Sequence, residues 1–317
     1  MTAPLVVVSS RSFSSGEVDL LDRLRVAGCT VRRLPPDHPL DACRDTLAGA
    51  SAWVAGVGPV TAEHLDAAPG LRVLARYGVG VDAVDLAAAA ERGVVVTHTP
   101  GANTGAVADH ALALALAVLR QVAPGDRAVR GGDWSPRRGR ELSALTVGVV
   151  GAGRVGRAFA SRVAALGCSV VGHDPFLDEA GDLPLVGLEE LARRADLVSL
   201  HVPGGATVVD RRLLGLLRPS ALLVNTARAD LVDEHAVADA LRAGRLGGYA
   251  ADTLQGEGRD VPGPLLAEDL RDRVLLTPHS AAQTVQAIDL MGTMAVDDVL
   301  AVLAGRPPSH RVREVTR

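Results

Sequence analysis

Three side chains in the second half of the chain have the types needed to bind an acid and to move a proton. Arg228 lies in NTARAD, Glu257 ends AADTLQGE, and His279 lies in LLTPHSAAQ. Each follows an apolar run typical of a strand, and the carboxyl ends of parallel strands meet at one edge of a sheet. An arginine binds carboxylates and polarises carbonyls, whereas an imidazole beside a carboxylate exchanges protons near neutral pH. A lone strand-end histidine favours a surface or capping role, but the three together favour redox chemistry between an alcohol and a carbonyl.

Such redox chemistry needs a hydride carrier, and a glycine-rich segment predicts a binding site for one, a dinucleotide. Val147–Asp174 reads as strand, glycine turn, helix and second strand, with Gly151, Gly153 and Gly156 in the turn. These glycines allow a tight turn, close approach to a pyrophosphate and close packing of helix on strand. The alternative is a βαβ unit whose glycines serve packing alone. Asp174 ends the second strand, where a carboxylate binds ribose hydroxyls and repels a 2′-phosphate, so NAD is favoured over NADP.

The elements that position these residues alternate between strand and helix patterns along the chain. The early strands are predicted at Leu5–Val8, Thr30–Leu34, Ala52–Val54, Leu71–Ala75 and Val94–Thr97, with helices at Val18–Ala27, Thr61–Ala68 and Val84–Arg92. A second series of strands is predicted near residues 147–151, 168–173, 196–201, 221–226, 247–251 and 274–278. Such alternation predicts an α/β protein with two doubly wound parallel sheets.

Two long helices mark the predicted domain boundaries. Thr104–Gln121 is almost wholly apolar from Ala106, which predicts a helix buried on all sides, followed by a polar connector at Pro124–Glu141. Thr284–Leu303 is predicted as the last helix. The expected domains are 1–98 plus 288–317 and 99–287, and closure of the first on the second is expected to exclude water from the chemistry.

Composition narrows the classes of function. The chain has 317 residues, a net charge of −4 and 48% hydrophobic residues, and all 33 of its basic residues are arginine. Without lysine, Schiff-base chemistry is excluded, and the acidic balance gives no reason to expect nucleic acid or an anionic membrane. The three cysteines are widely spaced, which argues against disulfides and against a zinc site. With no signal peptide or membrane span predicted, a cytoplasmic protein without a metal is expected.

The quoted segments, with several others, resemble those of the D-isomer-specific 2-hydroxyacid dehydrogenase family. The matching segments, in the family's order, are RYGVGVDAVD (76–85), TPGANTGAVADH (99–110), GAGRVG (151–156), HDP (173–175), HVP (201–203), NTARADLVDE (225–234), AADTLQGE (250–257) and TPHSAAQT (277–284). The resemblance covers nearly the whole chain. It implies a Rossmann-type NAD-binding domain inserted in a flavodoxin-like substrate domain, a homodimer, and a small anionic 2-hydroxy or 2-oxo acid as substrate.

The resemblance also implies a role for each matching residue. Arg228 would bind and polarise the substrate, His279 would be the acid/base, and Glu257 its carboxylate partner. In the substrate domain, the backbone of Val79 and Gly80 would bind the substrate carboxylate. The implied cofactor-binding residues are Gly151, Gly153, Arg154, Val155, Gly156, Asp174, His201, Val202, Pro203, Thr226, Ala227, Asp252, Ala281 and Ala282.

Some positions depart from the family's usual pattern. His98 stands where many members have asparagine, and Ala55 stands where phosphoglycerate enzymes carry arginine, so 3-phosphoglycerate is not the expected substrate. Two other functions stay open at this point. One keeps the fold but oxidises phosphite or a phosphonate, and the other is a non-catalytic, NAD-sensing protein like the corepressors that share this fold.

Overall fold

The chain forms two compact units, each built on its own parallel sheet. The computed structural model describes residues 3–257 and 263–312. Unit 1 comprises Met1–Asn103 and Ala282–Arg317, and unit 2 comprises Thr104–Ala281. Residues 1–2 and 313–317 of the predicted substrate domain lie outside the described residues.

Unit 1 contains a five-stranded sheet in which all paired strands are parallel. Its strands are β1 (Leu5–Val8), β2 (Thr30–Arg33), β3 (Ala50–Ala55), β4 (Val73–Arg76) and β5 (Val95–Thr97). Their spatial order is β2-β1-β3-β4-β5, the flavodoxin-like order, with a switch point beside β1. Central strands β3 and β4 are buried almost throughout, because helices cover both faces of a parallel sheet.

The helices of unit 1 include one that the sequence patterns did not predict. They are α1 (Leu20–Val26), α2 (Leu40–Leu47), α3 (Ala62–Asp66) and α4 (Leu86–Glu91). Helix α2 buries only Cys43 and Leu47 and is short and otherwise largely polar, so it contains no long apolar run. Helices α1 and α4 begin at Asp19 and Asp85, whose carboxylates accept a hydrogen bond from a first-turn N–H group.

Unit 2 contains a six-stranded sheet, also parallel. Its strands are β6 (Thr146–Val150), β7 (Ser169–His173), β8 (Leu197–Leu200), β9 (Leu222–Asn225), β10 (Gly248–Ala251) and β11 (Val274–Leu276). Their order is β11-β10-β9-β8-β6-β7. Beyond β7, Leu185 forms a single parallel bridge to Gly172, so the third strand of a Rossmann half is reduced to one residue pair. The predicted fold class is confirmed.

The helices of unit 2 cover both faces of this sheet. They are α5 (Thr104–Leu119), α6 (Val122–Arg130), α7 (Arg154–Ala165), α8 (Leu188–Arg194), α9 (Arg211–Leu214) and α10 (Glu234–Arg242). The expectation of a polar connector from Pro124 is wrong for its first part, because α6 extends to Arg130. The expectation that α5 is buried on all sides is also wrong, because Asp109, Ala113 and Leu116 lie on an exposed stripe.

The last helix, α11 (Val285–Leu303), belongs to unit 1 and packs against β3, β4 and α1. The hydroxyl of Tyr77 donates a hydrogen bond to the carbonyl of Ile288 in this helix, at 3.1 Å. Among the described residues, no single helix is both long and apolar enough to cross a membrane, although the bent pair α5 and α6 meets those criteria when taken together.

Candidate active site

Three neighbouring strands of unit 2 bring the predicted site residues to one edge of the sheet. Ala251 of β10 pairs in register with Asn225 of β9 and with Leu276 of β11. The loops that follow these strands therefore leave the sheet side by side. They carry Arg228 after β9, Asp252 and Glu257 after β10, and His279 after β11.

His279 and Glu257 form a direct hydrogen bond. The distance between His279 Nδ1 and Glu257 Oε2 is 2.8 Å, and the side chains are 45% and 39% exposed. Because a carboxylate only accepts hydrogen bonds, Nδ1 carries the hydrogen and Nε2 is the ring nitrogen left for another partner. The other oxygen of Glu257 accepts the N–H of Leu254 at 2.9 Å, which fixes the carboxylate within its own turn.

The backbone of His279 adopts a conformation that side chains other than glycine rarely take. Its φ is +50°, in the left-handed region. Its N–H donates to the carbonyl of Asp252 at 3.0 Å and to that of Thr277 at 3.0 Å. Such a conformation persists only where the surroundings impose it, and residues of this kind cluster at functional sites.

The carboxylate of Asp252 imposes much of that loop geometry. Asp252 is 1% exposed. Its Oδ1 accepts the hydroxyl of Thr277 at 2.5 Å and the N–H of Ser280 at 2.9 Å, and its Oδ2 accepts the N–H of Ala281 at 2.8 Å. Asp252 therefore fastens the loop that carries His279, while Oδ2 retains capacity for a second donor.

His110 of α5 joins this network, and sequence reasoning did not assign it a role. Its Nε2 lies 2.9 Å from Thr277 Oγ1 and 3.3 Å from Asp252 Oδ1. Because the threonine hydroxyl donates to Asp252, its oxygen accepts from His110. The only signal in the sequence was that His110 ends the family-like segment TPGANTGAVADH.

Arg228 sits at the start of a tight turn organised by Asn225. The fully buried amide of Asn225 accepts the N–H of Ala227 at 3.0 Å and donates to the carbonyl of Arg228 at 2.8 Å. The guanidinium of Arg228, which is half-buried, donates from Nη1 to the carbonyl of Ala227 at 2.9 Å. The turn thus holds both ends of the arginine close to the end of β9.

A buried carboxylate on α10 holds the loop that carries Glu257. Glu234 is 3% exposed, and its Oε1 accepts the N–H of Gln255 at 2.7 Å. Burial raises the pKa of Glu234, and the nearby charge of Glu257 raises it further, whereas the bond from Gln255 opposes both. Sequence reasoning missed Glu234 because nothing in NTARADLVDE shows which way a helix residue faces.

The glycine-rich turn between β6 and α7 has the shape of a phosphate cradle. Gly151 has a φ of +96°, and a Cβ there would lie 2.6 Å from the carbonyl oxygen of His201. A Cβ on Gly156 would lie 1.8 Å from the carbonyl oxygen of Gly151, so only glycine fits. At Gly153, by contrast, a Cβ would meet no atom within 4 Å. Gly153 is the N-cap residue of α7, and Arg154 and Val155 lie in the first turn of that helix.

Asp174, immediately after β7, faces this turn. Its Oδ2 accepts the N–H of Ala152 at 2.9 Å, and its Oδ1 accepts the N–H of Phe176 at 3.0 Å. The carboxylate is thereby held beside the glycine turn at the end of the second strand, which is the position expected for a ribose-binding acid.

Buried polar atoms near these strand ends have no protein partner among the described residues. They include Oγ1 of Thr226 and Nδ1 of His201. Burial lowers the pKa of His201 to about 3, so its ring is neutral at ordinary pH. Its Nε2 lies 3.0 Å from the hydroxyl of Ser199, and its ring packs on Phe159. Together with the open cradle at Gly153, the unpartnered atoms fit a polar dinucleotide bound along this edge.

The remaining candidates lie in the same loops or in unit 1. Val202 and Pro203 follow His201, Ala227 lies in the Arg228 turn, and Ala281 ends the loop fastened by Asp252. Ala282 is the first residue of the second segment of unit 1. Val79 and Gly80 follow β4 in unit 1, where Val79 is 39% exposed. No cluster of metal-binding side chains is found in the described part of the chain.

Comparisons with known proteins agree with this architecture. Residues 112–281 match the family described as "D-isomer specific 2-hydroxyacid dehydrogenase, NAD binding domain". The chain is 40% identical over 255 residues to D-3-phosphoglycerate dehydrogenase of Mycobacterium leprae, covering 78% of this chain and 48% of that protein. It is 35% identical over 275 residues to glyoxylate reductase of Thermofilum pendens, covering 81% of this chain and 80% of that protein.

The chain thus spans about half the length of the phosphoglycerate dehydrogenases it matches. Among solved structures, the TT0316 protein from Thermus thermophilus superposes with a TM-score of 0.89 at 38% identity, covering 98% of this chain and 100% of that one. The sheet orders, the glycine turn and these matches lead to one conclusion: the chain belongs to the D-isomer specific 2-hydroxyacid dehydrogenase family.

Proposed function

We propose that this protein catalyses reversible hydride transfer between NAD(H) and a small 2-hydroxy or 2-oxo acid, acting on the D isomer. The observation that carries the proposal is the 2.8 Å bond between His279 and Glu257, on a loop that leaves the sheet beside that of Arg228. In the reducing direction, a 2-oxo acid, NADH and one proton give a 2-hydroxy acid and NAD⁺.

The proton is assigned to Nε2 of His279. When bound, the nicotinamide supplies or accepts the hydride at the substrate's C2. In reduction, the imidazolium of His279 donates its Nε2 proton to the carbonyl oxygen as that oxygen gains charge, and in oxidation the neutral ring takes the hydroxyl proton. The carboxylate of Glu257 stabilises the imidazolium and fixes the ring through Nδ1.

Arg228 is proposed to bind the substrate carboxylate and to polarise the neighbouring carbonyl. A guanidinium provides several donors in one plane, and its charge stabilises the negative oxygen that forms in the transition state. The Asn225 turn holds the residue at the strand end, which reduces the entropy lost on binding. In unit 1, Val79 and Gly80 are proposed to donate backbone N–H groups to the same carboxylate.

NAD is proposed as the preferred cofactor. The carboxylate of Asp174 beside the glycine turn would hydrogen-bond the ribose hydroxyls and repel a 2′-phosphate. In this proposal Gly151, Gly153, Arg154, Val155 and Gly156 contact the pyrophosphate. Thr226, Ala227 and Asp252 contact the nicotinamide half, and His201, Val202 and Pro203 contact the adenosine half.

We also propose that the active species is a cytoplasmic homodimer. The cysteines Cys29, Cys43 and Cys168 are all free thiols, as a reducing compartment allows. The exposed stripe of α5 includes Leu116, and α6 exposes Val122 and Val129, which gives this region of unit 2 an apolar surface.

The direct test is an initial-rate screen of the purified protein. NADH and NADPH oxidation is followed with glyoxylate, hydroxypyruvate, pyruvate, phenylpyruvate and 3-phosphohydroxypyruvate, and NAD⁺ reduction is followed with phosphite. We expect turnover of at least one unphosphorylated 2-oxo acid with NADH, and slower turnover with NADPH. Reduction of NAD⁺ by phosphite alone, or tight NADH binding without turnover of any acid, would contradict the proposal.

Substitutions then test whether His279 is the residue that transfers the proton. His279→Ala is expected to lower kcat by about 100- to 10,000-fold while the Kd for NADH stays within about twofold, because general acid–base catalysis supplies a factor of that size. His235→Ala, on the exposed side of α10, is the matched control. Near-normal turnover of the His279 variant would remove that residue from the mechanism.

A further inference from the structure

Two backbone N–H groups in unit 1, those of Val79 and Gly80, are placed to donate hydrogen bonds to an anion. Across the described residues, neither amide donates a hydrogen bond within the protein. The preceding amide, that of Gly78, is engaged with the carbonyl of Arg76 at 2.9 Å. The segment that follows β4 thus has two N–H groups available for a ligand. They are the two groups that the proposed function assigns to the substrate carboxylate.

The direction of these donors is set by the carbonyls on the other side of the same peptide bonds. In a trans peptide the C=O of one residue and the N–H of the next are antiparallel. The carbonyl of Gly78 shares a peptide with the N–H of Val79, and the carbonyl of Val79 shares one with the N–H of Gly80. Whatever holds those carbonyls also aims the two N–H groups.

Both carbonyls are held by consecutive residues that follow β5. The N–H of Thr99 donates to the carbonyl of Gly78 at 3.0 Å. The Nδ1 of His98 lies 3.0 Å from the carbonyl of Val79 and must be the donor, because a carbonyl only accepts. Since both carbonyls face residues 98–99, both N–H groups point away from that segment, on the same side of the loop.

The donor end of this arrangement is itself fixed in place. The N–H of His98 donates to the carbonyl of His310 at 3.1 Å, and the N–H of Val312 donates to the carbonyl of Val96 at 2.8 Å. His310 is tied in turn to the buried carboxylate of Asp298 on α11, at 3.1 Å from Nδ1 to Oδ2. The chain's last described segment therefore braces the backbone of His98.

A buried guanidinium belongs to the last residue of β4, directly before this loop. Arg76 is 9% exposed, and its Nη1 donates to the carbonyls of Tyr77 at 2.5 Å and of Ala55 at 3.5 Å. A Cβ added to Gly78 would lie 3.0 Å from that Nη1, so the guanidinium is close beneath the loop. The bond from Nη1 to the Tyr77 carbonyl thereby supports the start of the loop.

We propose that His98 is a positioning residue for substrate binding: its Nδ1–H holds the Val79 carbonyl, and so aims and polarises the Gly80 amide that binds the substrate carboxylate. The inference rests on the proposed function. A hydrogen bond to the carbonyl side of a peptide strengthens donation from its N–H side, because linked hydrogen bonds polarise one another. His98 itself touches neither substrate nor cofactor in this scheme.

The test compares His98→Ala with His98→Asn, using His235→Ala as the matched control. Asparagine places an N–H donor at the same number of bonds from Cα as Nδ1 of histidine, so it retains the donor, whereas alanine removes it. Two quantities are measured: KM and kcat with the best 2-oxo acid of the screen, and the calorimetric Kd of oxalate for the NADH-saturated protein. Oxalate binding needs no turnover.

His98→Ala is expected to raise KM and the oxalate Kd about tenfold, the size of one lost hydrogen bond, with kcat within about threefold and the NADH Kd within about twofold. His98→Asn is expected to restore KM and the oxalate Kd to within about threefold of the wild-type protein. An oxalate Kd unchanged in the alanine variant, an asparagine variant as weak as alanine, or a wild-type protein that does not bind oxalate would each overturn the inference. If wild-type protein binds oxalate in this pattern but turns over no acid, the proposed function fails and the role of His98 stands.

Discussion

At the scale of single residues, the proposed acid/base pair depends on carboxylates that do not take part in the chemistry. Asp252 fastens the loop of His279, and Glu234 fastens the loop of Glu257 through the N–H of Gln255. Both carboxylates are almost fully buried. Removing such an acceptor leaves an N–H group of the loop without its partner, and the cost exceeds that of the lost bond where the group is shielded from water.

Glu234 affects the free energy of unfolding in two ways, as a hydrogen-bond acceptor for Gln255 and as a buried charge, and substitutions can separate the two. Its pKa is raised above 4.5, mainly by burial, so the folded state binds a proton that the unfolded state releases between 4.5 and the raised value. Stability therefore falls as pH rises through that window, and the cost persists above it. Glu234→Gln keeps an acceptor for Gln255 and removes the charge. We expect the free energy of unfolding of this variant, relative to wild type, to improve as pH rises from about 4.5 to 8.

Chemical denaturation at several pH values measures this difference, with Glu234→Ala as the comparison. The alanine variant loses the acceptor as well, so it should be less stable than Glu234→Gln by about 1–3 kcal/mol. A difference between wild type and Glu234→Gln that does not change with pH would show that the buried carboxylate carries no titrating cost.

At the scale of elements, two glycines three residues apart in the turn between β6 and α7 should respond differently to substitution by alanine. A Cβ at Gly156 would collide with the carbonyl oxygen of Gly151, whereas a Cβ at Gly153 would enter open space at a φ of −70°. Gly156→Ala is expected to lower the free energy of unfolding without cofactor by about 1–3 kcal/mol, because the turn must shift. Gly153→Ala is expected to stay within about 1 kcal/mol of wild type.

The same two variants should separate the stability of the turn from its affinity for cofactor. Gly153→Ala is expected to weaken NADH binding at least about tenfold although the fold is intact, because its methyl group occupies the space proposed for the pyrophosphate. Fluorescence titration with NADH and denaturation without it make the comparison. Normal NADH affinity in Gly153→Ala would place the pyrophosphate elsewhere.

The elements also show which parts of the architecture can be predicted from sequence. Buried parallel strands such as β6 and β9 are short apolar runs, so their existence and the strand-end positions of Arg228 and His279 follow from pattern alone. Helix α6 was not predicted because its polar, proline- and glycine-containing sequence has no apolar run. The bridge at Leu185 escaped prediction because one residue pair leaves no pattern. The partners of His98, His110 and Glu234 depend on tertiary placement, which spacing does not encode.

At the scale of the whole molecule, each unit carries a histidine that follows a strand and whose pKa is lowered by burial. In unit 1, His38 follows β2, is 1% exposed, and donates from Nδ1 to the carbonyl of Pro59 at 3.0 Å. In unit 2, His201 follows β8. Burial is the main cause that lowers the pKa of both, to about 3 for His201. Both rings are therefore neutral in the folded protein at ordinary pH.

This pair predicts how the stability of the molecule responds to acid. Below their ordinary pKa of 6.5, both histidines take up a proton in the unfolded chain, whereas their lowered pKa values delay this protonation to lower pH in the folded chain. The unfolded state then binds more protons, so stability is lost as pH falls from 6.5 toward the lowered values, at up to about 1.4 kcal/mol per pH unit for each site.

His38→Asn and His201→Asn should each flatten the dependence of unfolding free energy on pH, and the double variant should flatten it most. Asparagine suits position 38, where φ is +55°. Denaturation between about pH 4.5 and about pH 6.5 gives the slopes, with His235→Ala as the control, and the comparison uses slopes because the substitutions also change packing. A slope equal to that of the wild-type protein in the double variant would mean that these rings take up protons without unfolding, and that burial of His38 and His201 does not hold them neutral.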